Sequence, residues 1–259
     1  MADLSLNKIL LPHERIIAAL DQQSWDEAVN CAKEIKDVVG IAKVNSVAER
    51  IGLDRAMEVL NALGLVTMID YKLNDIDDTM YRRAREETLA GGDIITIHAS
   101  TTQKALRRAV AGVDAAMAMK PRLQRPWLLG VTVLTSIDDN GVETCASIFG
   151  ADRRTKVRQF THLAADAGFQ GVVCSYQEAE IVKNDPYTQH MKVVLAGIRP
   201  VYSRGTPDEQ ILAVTPKIAI EAGGDFLIFG RPLIYAPTYG LTSRGAAIII
   251  GEEIKDAGG

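Results

Sequence analysis

Short runs of apolar and β-branched residues recur along the chain, each followed by a stretch whose apolar positions repeat at helical spacing. The runs IIAAL (16–20), IAKV (41–44), LVTMIDYK (65–72) and IITIHA (94–99) read as strands. So do WLLGVTVL (127–134), GVVCS (171–175), VVLAGI (193–198) and FLIFG (226–230). Between them, SWDEAVNCAKEIKDVV carries helical spacing with Ser24 as its N-cap, and DIDDTMYRRAREETLAGG ends in a glycine pair suited to a helix C-terminus. Strands that are almost continuously apolar are buried on both faces. Their alternation with helices therefore predicts a parallel sheet covered by helices. Eight such units within 259 residues match the size of a (β/α)8 TIM barrel. The competing open, doubly wound sheet would carry G-x-G-x-x-G after its first strand, and none stands there. No Pro/Ser-rich linker or shift in composition divides the chain, so a single domain over 1–259 is expected.

In such a barrel, polar groups at the C-terminal ends of the strands build the active site. Asp21 follows the first strand, Lys43 lies in the second, Asp70 and Lys72 in the third, His98 in the fourth, and Thr135 follows the fifth. Side chains two apart on a strand share a face, so Asp70 and Lys72 are expected to point together. Asp75 reaches the same mouth from the next loop or from a neighbouring subunit. A lysine buried alone loses its proton and a lone buried carboxylate gains one, whereas interleaved groups stabilise each other's charged forms. At roughly 4 Å and an effective dielectric near 20, one such pair is worth about 4 kcal/mol. An array of this kind is a fixed field that favours negative charge on a substrate carbon, with a lysine ammonium able to deliver a proton there. A carboxylate facing a substrate carboxylate also disfavours the bound ground state. The plainer reading is an ion-pair network that ties strand ends together.

The C-terminal half supplies anion-binding chemistry. GIRP (197–200) and GRP (230–232) follow the seventh and eighth strands, where barrels commonly hold phosphate. Glycine permits close backbone approach, and arginine presents a planar fork to phosphate oxygens. Between them VYSRGTPDEQ (201–210) is a candidate lid.

Composition narrows the classes further. With 47% apolar and 24% charged residues and a net charge of −4, the chain lacks the basic stripe of a nucleic-acid binder. No apolar run reaches membrane-spanning length, and the N-terminus lacks the pattern of a secretion signal. Cys31, Cys145 and Cys174 are widely spaced and odd in number, which suits buried thiols in a reducing cytoplasm rather than disulfides or a zinc site. His13, His162 and His190 show no ligand-like spacing, His98 reads as a hydrogen-bonded structural group, and Trp25 and Trp127 read as packing aromatics.

The stretch DYKLNDIDDT resembles the D-x-K-x-x-D-I-x-x-T signature of the orotidine 5′-phosphate decarboxylase family. The resemblance extends, in the family's order, through IIAALD, AKV, TIHAS, VTVLTS, GVVCSYQEAE, LAGIRP and FLIFGRPL, over roughly residues 15 to 235. It implies a homodimeric barrel that converts orotidine 5′-monophosphate to UMP and CO2 in pyrimidine biosynthesis without metal or organic cofactor. Carried over, Lys72 would protonate the C6 carbanion and Asp70 would face the departing carboxylate. Lys43 and Asp75 would hold the network and the ribose hydroxyls, with Asp75 and Thr79 entering the neighbour's site. Asp21 would contact ribose and Thr135 the pyrimidine, while Arg199, Gln210, Gly230 and Arg231 would grip the phosphate and form the lid. Four departures stand out: Asn45 after AKV, Asp77 in place of a proline, HASTTQ without a glycine pair, and a different length between Arg199 and Gln210. Mg2+-dependent sugar-phosphate decarboxylases and aldolases of the same superfamily share D-x-K-x-x-D, but DIDDT, VTVLTS and the GIRP…GRP pair argue against them. A non-catalytic nucleotide-binding barrel is a third reading, weakened by retention of all four charged residues.

Overall fold

The computed structural model describes residues 10–22, 24–137, 152–203 and 213–258. Its parallel strands close into a barrel in chain order: β1 (Ile16–Ala19), β2 (Ile41–Val44), β3 (Val66–Leu73), β4 (Ile94–His98), β5 (Trp127–Val131), β6 (Gly171–Cys174), β7 (Lys192–Leu195) and β8 (Phe226–Phe229). β8 pairs back to β1 through Ile17↔Ile228, so no edge is left unpaired. Every strand lies where the alternation of apolar runs placed it. The fifth stops at Val131, three residues before the expected end, and the seventh at Leu195, because the chain there leaves the ladder to line the barrel mouth.

Around the barrel lie α1 (Trp25–Ile35), α2 (Ser46–Ile51), α3 (Leu53–Ala62), α4 (Asp77–Leu89), α5 (Gln103–Met119), α6 (Arg153–Ala167), α7 (Tyr176–Lys183), α8 (Pro216–Glu221), α9 (Arg231–Ile234) and α10 (Ser243–Lys255). Ser24 caps α1 as expected: its hydroxyl accepts the Glu27 N–H at 3.3 Å while Glu27 bonds back to the Ser24 N–H. Gly91, with φ of +91°, follows the end of α4, in keeping with the glycine pair read there. Helices α4 and α5 approach closely at Gly112, where a Cβ would run into the Tyr81 carbonyl.

Two apolar layers follow from the two faces of each strand. Ile17, Ile41, Met68, Leu129, Val173 and Phe226 fill the barrel interior, and Trp127 meets Phe226 edge-on there with ring centroids 6.0 Å apart. The opposite strand faces, represented by Ile16, Ala42, Ile69 and Val172, pack on the helices. Trp127 is thus a core aromatic, and Trp25 packs against the outer layer. Cys31 and Cys174 are buried free thiols; Cys145 lies outside the described residues. Among the described residues, no helix is long and apolar enough to cross a membrane.

Candidate active site

The period-two rule that fills the barrel interior also delivers its charges. On β2, Ile41 faces inward and Lys43 follows on the same face, beside Ala19 of β1 and Met68 of β3 in register. On β3, Val66 and Met68 face inward and Asp70 comes next. Lys43 is almost wholly buried, and its Nζ lies 3.1 Å from Asp21 Oδ2 and 3.0 Å from Asp70 Oδ2. Lys72 Nζ reaches the same Asp70 oxygen at 2.8 Å. One carboxylate oxygen is therefore shared by two ammonium groups. The other accepts a hydrogen bond from the Thr96 hydroxyl at 2.9 Å.

Lys72 does meet Asp70, but not along a regular strand. Between the Ile69↔Ile95 and Leu73↔Ile97 pairs, β3 carries two more residues than β4, so the strand bulges. Lys72 lies in this bulge with φ of +47°, and among the described residues it is the only non-glycine with positive φ. A left-handed backbone at such a residue costs on the order of 1–3 kcal/mol and persists only where its surroundings enforce it. Part of that enforcement is visible: the Lys72 N–H donates to Thr96 Oγ1 at 3.0 Å. Thr96 was not singled out in the sequence, although it stands two residues before His98 on the same inward face of β4.

The electrostatics follow from burial and proximity. Desolvation alone pushes the Lys43 pKa down, but the Asp70 and Asp21 charges outweigh it and hold it above the ordinary lysine range. Desolvation likewise pushes Asp70 up, and Lys43 and Lys72 outweigh it, leaving the carboxyl below its ordinary range. Both groups are thus held ionised in a nearly dry position. For His98, burial and then the nearby Lys72 charge lower the pKa, which favours the neutral ring. Its Nδ1 is buried without a hydrogen-bond partner among the described residues, so the expected hydrogen-bonded role does not hold at that nitrogen.

These groups open on a cavity of about 380 Å3 at the C-terminal mouth of the barrel. Asp21, Lys43, Asp70 and Lys72 line it from the ends of β1 to β3, Thr135 from the loop after β5, and Arg199, Gly230 and Arg231 from the ends of β7 and β8. A Cβ added at Gly230 would meet nothing within 4 Å, so the glycine leaves open space rather than relieving a clash. Val131, Val133 and Val173 supply an apolar wall, and Ser136 and Tyr235, which the sequence did not flag, add polar groups. Ser136 was legible only as the neighbour of Thr135, and Tyr235 had no signal beyond its closeness to GRP. Gln210 and most of the candidate lid lie outside the described residues; Val201–Ser203 form a short 3-10 turn.

Asp75 and Thr79 do not line this cavity. They border an adjoining cleft of about 420 Å3 together with Asn45, Tyr71 and Arg83, and Lys72 borders both spaces. Asp77, one of the departures noted above, is neutralised locally by Lys104 Nζ at 2.5 Å.

Residues 14–242 match the model of the orotidine 5′-phosphate decarboxylase / HUMPS family. The chain belongs to that family. It is 33% identical over 235 residues to the orotidine 5′-phosphate decarboxylase of Carboxydothermus hydrogenoformans, covering 89% of this chain and 93% of the relative. With the enzyme of that name from a Methylobacterium species it shares 33% identity over 249 residues, covering 96% and 98%. The crystal structure of orotidine 5′-phosphate decarboxylase from Lactobacillus acidophilus superposes with a TM-score of 0.75 at 26% identity, covering 92% of this chain and 98% of that one. In this member of the orotidine 5′-phosphate decarboxylase / HUMPS family, Lys43, Asp70 and Lys72 meet at the barrel mouth.

Proposed function

We propose that the protein decarboxylates orotidine 5′-monophosphate to UMP and CO2, a step of pyrimidine biosynthesis, by direct stabilisation of a carbanion. The observation that carries this reading is the Asp70 carboxylate clamped between Lys43 and Lys72 at the edge of the cavity. With phosphate gripped by Arg199 and Arg231 and ribose by Asp21, the pyrimidine carboxylate would be directed toward Asp70. Two like charges in a poorly solvated space repel, and loss of CO2 relieves that repulsion. The electron pair left on C6 then faces the Lys72 ammonium, which stabilises it and donates a proton to form the C6–H bond of UMP. The strained backbone at Lys72 supports the same reading, since this conformation is held where Lys72 Nζ meets Asp70 at 2.8 Å.

We assign Asp75 and Thr79 to the second subunit's site in a homodimer, and the supporting observation is that neither lines the cavity of its own subunit. No metal or organic cofactor enters the proposed route. Asp70 already accepts from two ammonium groups and a hydroxyl, which suits an ion-pair role better than metal ligation. The test is the fall in ultraviolet absorbance of orotidine monophosphate with the purified protein in excess EDTA. Undiminished turnover is expected. Activity lost to the chelator and restored by Mg2+, or confined to ketose phosphates, would favour the sugar-phosphate chemistry of the same superfamily.

A further inference from the structure

A second buried ion pair stands behind the cavity wall. Arg153 opens α6 and Glu178 lies in the first turn of α7; both side chains are buried, and Arg153 Nε donates to Glu178 Oε1. A cation in the first turn of a helix opposes the helix dipole, and burying it removes its hydration. The needs of α6 therefore do not explain Arg153.

The rest of the guanidinium shows what it holds. Nη1 donates to the Ile137 carbonyl at 2.5 Å, and Nη2 donates to the Val133 and Leu134 carbonyls, both at 3.4 Å. Those three carbonyls bracket Thr135 and Ser136, the hydroxyl residues of the β5 loop that line the cavity. Within the loop itself, among the described residues, a backbone bond from Ile137 N–H to the Leu134 carbonyl at 3.1 Å closes the turn. The other Glu178 oxygen accepts the Ser175 N–H at 2.8 Å, which ties the pair to the end of β6. A planar fork with five N–H groups can serve a carboxylate and three carbonyls together. A lysine ammonium cannot.

We propose that Arg153, held by Glu178, is a positioning residue that sets the loop bearing Thr135 and Ser136, and so governs how tightly the cavity takes the base of a nucleotide. This rests on reading the cavity as a pyrimidine-nucleotide site. The groups assigned to ribose and phosphate, Asp21, Arg199, Gly230 and Arg231, come from other strand ends, and none is among the Arg153 hydrogen-bond partners named above. Base binding and ribose-phosphate binding should therefore separate.

The experiment is calorimetric titration of the full chain, and of Arg153→Lys and Arg153→Met, with UMP and with ribose 5-phosphate. The inference predicts a rise of about tenfold or more in the Kd for UMP in both variants, with ribose 5-phosphate changed by less than about twofold. Equal weakening of both ligands, or unchanged UMP binding, would overturn it. If Arg153→Met does not fold, Arg153→Lys decides, because it keeps a charge facing Glu178 and loses only the fork. Should the unaltered protein take ribose 5-phosphate but not UMP, the pyrimidine reading itself fails, and this inference goes with it.

Discussion

The Thr96 hydroxyl donates to Asp70 Oδ1 at 2.9 Å, while the oxygen on the far side of that carboxylate holds two lysines. Because the same hydroxyl accepts the Lys72 N–H, Thr96 fixes both the Asp70 carboxylate and the bulge that presents the Lys72 ammonium. Thr96→Val keeps the shape and deletes both bonds. A hydrogen bond to a charged group is worth about 1.5–3 kcal/mol, so kcat should fall roughly 10- to 100-fold with a smaller change in KM. Steady-state kinetics beside a melting curve checks this; a variant that melts earlier but turns over normally contradicts it.

The pH dependence of stability has a defined sign at the same pair. Asp70 is held below its ordinary value of 3.8, so its contribution is present above that value and is lost as pH falls through the lowered one. Lys43 is held above 10.5, so its contribution is present below that value and is lost as pH rises through the raised one. Urea midpoints measured across pH should show a shallower acid limb for Asp70→Asn and a shallower alkaline limb for Lys43→Met. Both variants should be destabilised at neutral pH, by up to roughly 3–5 kcal/mol, since each strips a buried charge of one of its two opposite partners.

Behind β3, Glu87 presents the opposite case. Burial pushes its pKa up to about 8 despite the Arg83 guanidinium at 3.5 Å, and neither carboxyl oxygen has a hydrogen-bond partner among the described residues. A raised acid costs stability increasingly as pH climbs from its unfolded value near 4.5 toward 8. Glu87→Gln should therefore be nearly neutral at pH 4 and stabilising by about 1–3 kcal/mol at pH 9, read from urea midpoints at the two values. A variant less stable than the parent at pH 9 contradicts the assignment.

The placement of Asp75 and Thr79 on an adjoining cleft gives the shared-site proposal a direct test. Lys72→Ala and Asp75→Ala are each expected to be inactive alone. Mixed under conditions of subunit exchange, they should regain about a quarter of the parent activity, because half the dimers then carry one intact site. No recovery, with exchange verified by mass, would place Asp75 in its own subunit's site.

Much of this was readable in advance because barrel strands are short, apolar and evenly spaced, and because alternation along them is rigid. Lys43 inside IAKV had no cheap alternative to a paired position, and the structure pairs it. The Lys72 bulge was not readable, since YKL carries no glycine to announce a left-handed backbone and only the pairing with β4 reveals it. Arg153 escaped for a similar reason. One arginine at the start of a helix looks like any solvated cation until Glu178 and three loop carbonyls close around it.

Whether the Lys72 ammonium supplies the C6 proton is decided by single-turnover decarboxylation with Lys72→Ala. In a variant that still folds and binds UMP, the rate should fall by about a thousandfold. A folded Lys72→Ala protein that releases CO2 and forms UMP at the parent rate would contradict the account.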